Sequence, residues 1–172
     1  MMNNYNNKRN GYNNNQRNDY NGCNSEELDE GLKYAKDINK KLDDNSYVEI
    51  AETAIEHLSK KKYKGKTVDM VTTSKIRNLL SMAADIYNSV MYCGVDKLPD
   101  ELNGKIEYLR VRFIYEASRE PAVKNLLDYA DLINILKNIG GSKKRYLLFY
   151  HYMEALVAFK KYKNSLLGKK DD

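Results

Sequence analysis

The chain has 172 residues, a formal net charge of +5 and a pI of about 9.0, with 31% charged and 42% hydrophobic residues. At this length one domain is the default, and no apolar run approaches the roughly 20 residues that a membrane-spanning helix needs. Cys23 and Cys93 stand far apart with no C-x-x-C spacing, which argues against a disulfide scaffold or a zinc site and fits a reducing cytoplasm.

Residues 1–24 hold eleven Asn, two Gly and scattered Tyr, with no periodicity and almost nothing to bury. This stretch is predicted to be a disordered tail, and it has no apolar segment of the kind that opens a secretory signal. Ser25 to about Asp43 reads as a first helix. Ser25 is the expected cap, Glu26 and Glu27 sit where the helix dipole favours anions, and Leu28, Leu32, Ala35, Ile38 and Leu42 form a thin apolar stripe. The run D-D-N-S at 43–46 breaks and recaps the chain. Tyr47 to about Lys60 is a second helix with Ile50, Ala51, Ala54, Ile55 and Leu58 inward and Glu49, Glu52 and Glu56 outward.

Lys60–Lys66 is K-K-K-Y-K-G-K, a loop whose five lysines and one tyrosine can attract phosphate. G-K-T at 65–67 does not make a nucleotide loop, because position 60 is Lys where that motif needs Gly and no buried strand precedes it. Thr72 or Thr73 caps a third helix running to about Tyr92. Its inner side is Ile76, Leu79, Leu80, Ala83, Tyr87, Val90 and Met91, and its outer side Arg77, Ser81, Asp85 and Asn88. The free N–H groups of its first turn, with Thr72, Thr73, Ser74, Lys75 and Arg77, form a candidate phosphate seat; plain capping explains them equally well.

Asp100 is the expected cap of a fourth helix, which carries two stripes. Leu102, Ile106, Leu109, Phe113 and Ala117 form a core face. Lys105, Tyr108, Arg112, Tyr115 and Arg119 step by three and four, which at about 100° per residue puts cations and rings on one line. That composition suits a phosphate backbone and stacked bases, although Tyr and Arg stems also pack against neighbouring helices. Pro121 starts a fifth helix with Val123, Leu126, Leu127, Ala130 and Ile133 inward, ended by Gly140-Gly141. Ser142 caps a last helix to about Leu167. Lys143, Lys144 and Arg145 occupy its first turn against the dipole, and from Tyr146 to Tyr162 it is apolar nearly all round, as befits the centre of a bundle or an interface.

No segment keeps a period of two. The fold expected is all-α: a compact bundle of about five helices over 46–168, a helical extension over 25–45 and a polar tail over 169–172. No catalytic constellation can be assembled. His57 and His151 lie on different predicted helices, and His151-x-x-Glu154 alone does not make a bundle metal site. The carboxylates are scattered on polar faces. No enzyme activity, metal or cofactor is expected.

Taken in order, T-T-S-K-I-R at 72–77, L-R-V-R-F-I-Y-E-A-S-R at 109–119 and F-Y-H-Y-M-E-A-L-V-A-F-K-K-Y at 149–162 resemble the small subunit of type III-A CRISPR–Cas interference complexes, the Csm complex. The resemblance spans roughly 47–167. It implies a small, basic, helical, non-catalytic protein of the cytoplasm. Several copies would stack head to tail and hold the guide RNA–target RNA duplex by its backbone, beside the backbone subunits and a large signalling and nuclease subunit, with no membrane partner. By the same resemblance the RNA-facing candidates are Lys75 and Arg77 in the first motif and Arg110, Arg112 and Arg119 in the second. The stripe supports Arg112 and Arg119; Arg110 falls beside the core face. Lys105 and Lys144 are added from charge. Two other readings stay open: a helical scaffold that binds only proteins through the apolar last helix, and a DNA-binding regulator.

Overall fold

The computed structural model describes residues 29–63 and 65–168. Among them are seven helices: α1 Glu30–Lys41, α2 Tyr47–Lys60, α3 Thr73–Met91, α4 Asp100–Arg119, α5 Pro121–Tyr129, α6 Leu132–Lys137 and α7 Lys143–Leu166. The all-α expectation holds, with one addition. Lys62–Tyr63 (β1) and Lys66–Thr67 (β2) pair antiparallel inside the lysine-rich loop, and Gly65 at φ 77° supplies the left-handed turn. The disordered tail over 1–24, the Ser25 cap and the tail at 169–172 lie outside the described residues.

The core follows from what α7 must hide. Its Tyr146, Phe149, Tyr152, Met153 and Leu156 are wholly buried, so α2 packs along one flank and α3 along the other. α4 closes against α3 on one side and against α5 and α6 on the other, and α5 returns to α2. α1 lies across α2 and α5, burying Ala35 and Ile38. Every inward residue expected for α2 is buried. In α3, Met91, expected inward, is exposed, because Val90 beside it takes the buried position of the last turn, and Ile86, not assigned to either side, is buried.

Three boundaries differ from the sequence reading. The first helix starts at Glu30, capped by Asp29, whose side chain accepts from Gly31 N at 2.8 Å and from the Tyr129 hydroxyl. The fourth begins with Asp100 already helical and Pro99 at the cap position. The predicted fifth helix is two. Asp131 adopts φ 52°, ψ 30°, a left-handed residue that Asp tolerates, and its carboxylate accepts from Asn134 Nδ2 at 2.7 Å. The break lets consecutive Tyr129, Ala130, Asp131 and Leu132 all be buried, which no single straight helix at the surface allows.

Gly31 explains how α1 sits so close. A Cβ there would stand 2.9 Å from His57 Cβ and 2.8 Å from Tyr129 Cδ1, closer still to Cε1. Gly31→Ala is expected to cost about 1–3 kcal/mol through overpacking, read as a lower midpoint in urea. Burial raises the Asp131 carboxyl above the usual carboxylate range, against hydrogen bonds from Asn134 and the Asn39 backbone. A raised folded pKa means that its favourable contribution is present below the unfolded value and is lost as pH rises through the folded one. Asp131→Asn, which also tolerates the left-handed backbone, should therefore be more stable than the parent at neutral pH. That advantage should disappear near pH 3, where the parent carboxyl is protonated in both states, and paired urea melts at the two pH values read the difference.

Candidate nucleic-acid interface

α4 presents two faces, as its periodicity requires. Leu102, Ile106, Leu109 and Phe113 are buried and fix the helix, while Lys105, Tyr108, Arg112, Tyr115 and Arg119 are all exposed. With Tyr108 at 62% and Tyr115 at 53% exposure, the stripe is a surface and not a packing face. Its inner edge still leans on α3: Lys105, Tyr108 and Arg112 line a groove of about 570 Å³ with Met82, Asp85 and Ile86.

α3 and α4 run antiparallel, so the first turn of α3 meets the end of α4. Lys75 Nζ stands 3.0 Å from Glu120 Oε2 there. The seam thus brings together Lys75, Lys105, Arg112 and Arg119. Its charge is mixed. Lys105 Nζ reaches Glu101 at 2.8 Å, and that hydrogen bond and charge hold the Glu101 carboxyl below its ordinary range. Arg119 lies over the Tyr115 ring at 5.4 Å. Arg112 has no ion pair among the described residues, and Asp85 lines the same groove. Exposed ion pairs contribute only ~0–1 kcal/mol, so Lys75 and Lys105 can exchange carboxylate for phosphate at little cost.

The other three candidates stand elsewhere. Arg77 follows Lys75 by two positions, about 200° around the helix. It is exposed on the side of α3 away from Lys75. Arg110 lies on the side of α4 away from the groove and donates to Glu107 from Nε at 3.0 Å. Lys144 pairs with Asp44 at 3.0 Å. It belongs to the opposite end of the bundle, the whole length of α3 from Lys75, or roughly 24 Å at 1.5 Å per residue.

The basic first turn of α7 has a structural explanation that the sequence only hinted at through its conflict with the dipole. Lys143 Nζ donates to the carbonyls of Met91 at 2.9 Å and Cys93 at 2.6 Å, where α3 ends. The Arg145 guanidinium donates to the carbonyl of Asn138, just past α6, at 2.7 Å. Cations thus satisfy the orphan carbonyls of two other helices. The threonines at the start of α3 are likewise engaged. Thr72 Oγ1 accepts from Lys75 N at 3.2 Å, and buried Thr73 Oγ1 accepts from Asn164 Nδ2 of α7 at 3.2 Å. The histidines sit in aromatic packing: His57 stacks on Tyr34, and His151 lies among Tyr47, Tyr87 and Tyr150. Among the described residues, no group of three or more His, Cys, Asp or Glu is placed to hold a metal, and no helix is long and apolar enough to cross a membrane.

Residues 48–165, from the start of α2 to the last turn of α7, match the family model for Csm2, type III-A. The CRISPR system Cms protein Csm2 of Streptococcus thermophilus is 43% identical over 121 residues, 70% of this chain and 93% of its own. The protein of the same name from Mycobacterium tuberculosis is 44% identical over 92 residues, 54% of this chain and 74% of its own. That from Enterococcus italicus is 37% identical over 94 residues, 54% and 67%.

The two kinds of cation separate by stability. Lys143→Ala should cost about 1–3 kcal/mol, because it strands carbonyls that a charged donor now satisfies. Arg112→Ala should stay within ~0.5 kcal/mol of the parent in the same urea melts.

Proposed function

The chain belongs to the type III-A Csm2 family, and from that premise we propose that it is a non-catalytic small subunit of a CRISPR RNA-guided effector complex. In this role it holds the guide RNA–target RNA duplex by its backbone, without reading sequence, in the cytoplasm. The observation that carries this reading beyond the family is the α4 stripe: a line of cations and rings held outward by a fully buried opposite face. Phosphate oxygens need donors at fixed places but no base-specific groups, and Arg112 and Arg119 on a rigid helix meet that need. Base pairing between guide and target carries the sequence, and the protein holds the product.

Lys75, Lys105, Arg112 and Arg119 form the seam that meets the duplex in this proposal. Arg77, Arg110 and Lys144 face other directions and contribute, if the RNA path extends to them, from separate faces. The resemblance also implies copies stacked in a row. Supporting this, the two ends of the bundle carry unlike apolar patches: Tyr92 and Val95 between α3 and α4, and Tyr162, Leu166 and Leu167 at the end of α7. Unlike patches at opposite ends suit a head-to-tail contact, which leaves each copy free to accept another. The neighbours in such a row are further copies, the backbone subunits and the large signalling and nuclease subunit. The scaffold reading draws on one observation of its own: Val111, beside the stripe, and Ile114, on the side of Arg110, are exposed on α4 and suit a protein neighbour.

The test compares assembled complexes carrying the parent chain or Arg112→Ala/Arg119→Ala. The double variant should release target RNA at lower salt, with the slope of log K against log salt reduced by about 0.7–0.9 for each phosphate that is no longer neutralised. Equal retention and equal slope in both complexes would sink the seam. Recovery of the chain with other proteins but no RNA would favour the scaffold.

A further inference from the structure

We propose that the groove between α3 and α4 seats the sugar–phosphate edge of the duplex held on the seam, and that the Asp85 carboxylate in its wall accepts a hydrogen bond from a ribose 2′-hydroxyl. The subunit then favours RNA over DNA by a side chain of its own. The inference rests on the duplex-holding reading and assigns a residue which that reading leaves without a role.

Asp85 is out of place on a surface that only attracts phosphate. It is exposed and lines the groove with Arg112, and neither has an ion pair among the described residues. Glu101, the other carboxylate of the groove, differs because it holds Lys105 at 2.8 Å. A carboxylate without a cation repels phosphate and weakens binding wherever backbone oxygens approach. It offers one thing that lysine and arginine cannot, an acceptor for a hydroxyl, and an ionised acceptor makes the stronger kind of hydrogen bond.

The groove has room for a nucleotide edge. Its volume of about 570 Å³ falls within the ~300–1,000 Å³ of clefts that seat small ligands. Its floor is apolar: Ile86 and Leu109 are buried, and Met82 packs against the core. The α4 wall is lowest at Gly104, an exposed residue past the first turn of a 20-residue helix. Glycine is the poorest helix former after proline. No described atom comes within 4 Å of where its Cβ would stand, so packing inside the chain does not call for it. On the rim of a groove, a missing side chain lets another backbone come close.

In a closed duplex the bases are paired, and sugars and phosphates form the accessible edge. A-form RNA displays its 2′-hydroxyls along a wide, shallow minor groove. A ribose lying over Gly104 would rest its C–H face on the apolar floor and leave its phosphates to Lys105 and Arg112 on α4. Its 2′-hydroxyl would donate to Asp85 on α3. A deoxyribose has no such donor and would set the carboxylate against phosphate with nothing gained. Attraction to one sugar and repulsion of the other then act together.

The experiment uses the full chain and two duplexes of one sequence, ~20 base pairs long like a guide–target heteroduplex. One carries ribose throughout. The other carries 2′-fluoro sugars, which keep the A form and lack the donor. The parent should prefer the ribose duplex by roughly 2- to 10-fold, the worth of one ordinary hydrogen bond. Asp85→Ala should abolish that preference and bind the fluoro duplex more tightly than the parent does. Asp85→Asn keeps an acceptor and should retain part of the preference. Gly104→Leu should fill the groove and weaken binding of both duplexes. Melting curves that are no lower than the parent's establish that these exposed substitutions leave the fold intact. If Asp85→Ala strengthens both duplexes equally and the preference persists, the carboxylate acts by charge alone and the inference is overturned. It is overturned too if the parent does not distinguish the duplexes, or if Gly104→Leu binds them as the parent does. In those cases the seam is still decided by the salt slope of Arg112→Ala/Arg119→Ala. If the parent chain binds neither duplex at low salt, the inference falls, and target-RNA retention by the assembled complex decides the seam separately.

Discussion

The burial of α7 is the constraint on which the rest of the molecule depends. A helix apolar nearly all round cannot rest on one neighbour, so α2 and α3 must flank it and Phe113 of α4 must reach Phe149, with ring centres 6.3 Å apart. Its tyrosines bring hydroxyls into that interior, and each finds a carbonyl. Tyr146 donates to Ala83 O at 2.7 Å and Tyr152 to Ala130 O at 3.2 Å. Desolvation pushes both phenols above their ordinary pKa, which keeps them protonated and able to donate. The first of these bonds sets α3 against α7, and α3 in turn sets the position of α4. The outward stripe is thus placed by a hydrogen bond two helices away.

Much of this was legible in the sequence because period-3.6 patterns survive wherever one helix face meets one core. α2 ends where its sequence says it should, Thr72 and Ser142 cap α3 and α7, and the two faces of α4 fall as their spacing requires. The failures share a cause, which is dependence on a partner distant in the chain. Nothing local marks Asp131 as left-handed; the break follows from burying four consecutive residues between α1, α4 and α7. Asp29 caps α1 while also meeting Tyr129, 100 positions away. The lysine-rich loop reads as coil because two-residue strands carry no period. At the candidate site, the cations of the stripe were visible, and Glu101, four residues before Lys105 on the same helix, was legible too; Glu120 beside Lys75 was not, since that pair joins distant segments.

In the proposed role of holding a duplex by its backbone, the mixed seam has a consequence for affinity. A continuous row of bare arginines would bind any polyanion tightly and release it slowly. A row in which Lys75 and Lys105 already have carboxylates, with Arg112 lacking one, presents less net charge and binds more weakly at each phosphate. In the proposed row of copies, repetition would then supply what each copy lacks, because linked sites raise the effective concentration of the next one. Weak individual seams on a multivalent array favour a duplex long enough to span several of them.

The position of α7 in the chain has a further consequence, for synthesis. The helix that α2 and α3 flank is made after them, so both leave the ribosome with the faces that meet it uncovered. Until α7 arrives, Ile55 of α2 and Leu79 of α3 lack the helix that their elements flank, and Phe113 lacks the Phe149 ring. A vectorially made chain of this kind cannot complete its core piece by piece, and its nascent form exposes apolar surface of the sort that chaperones hold and that aggregates nucleate on. Premature termination within α7 would therefore not yield a shortened bundle, because α2 and α3, which flank it, would lack the surface they cover.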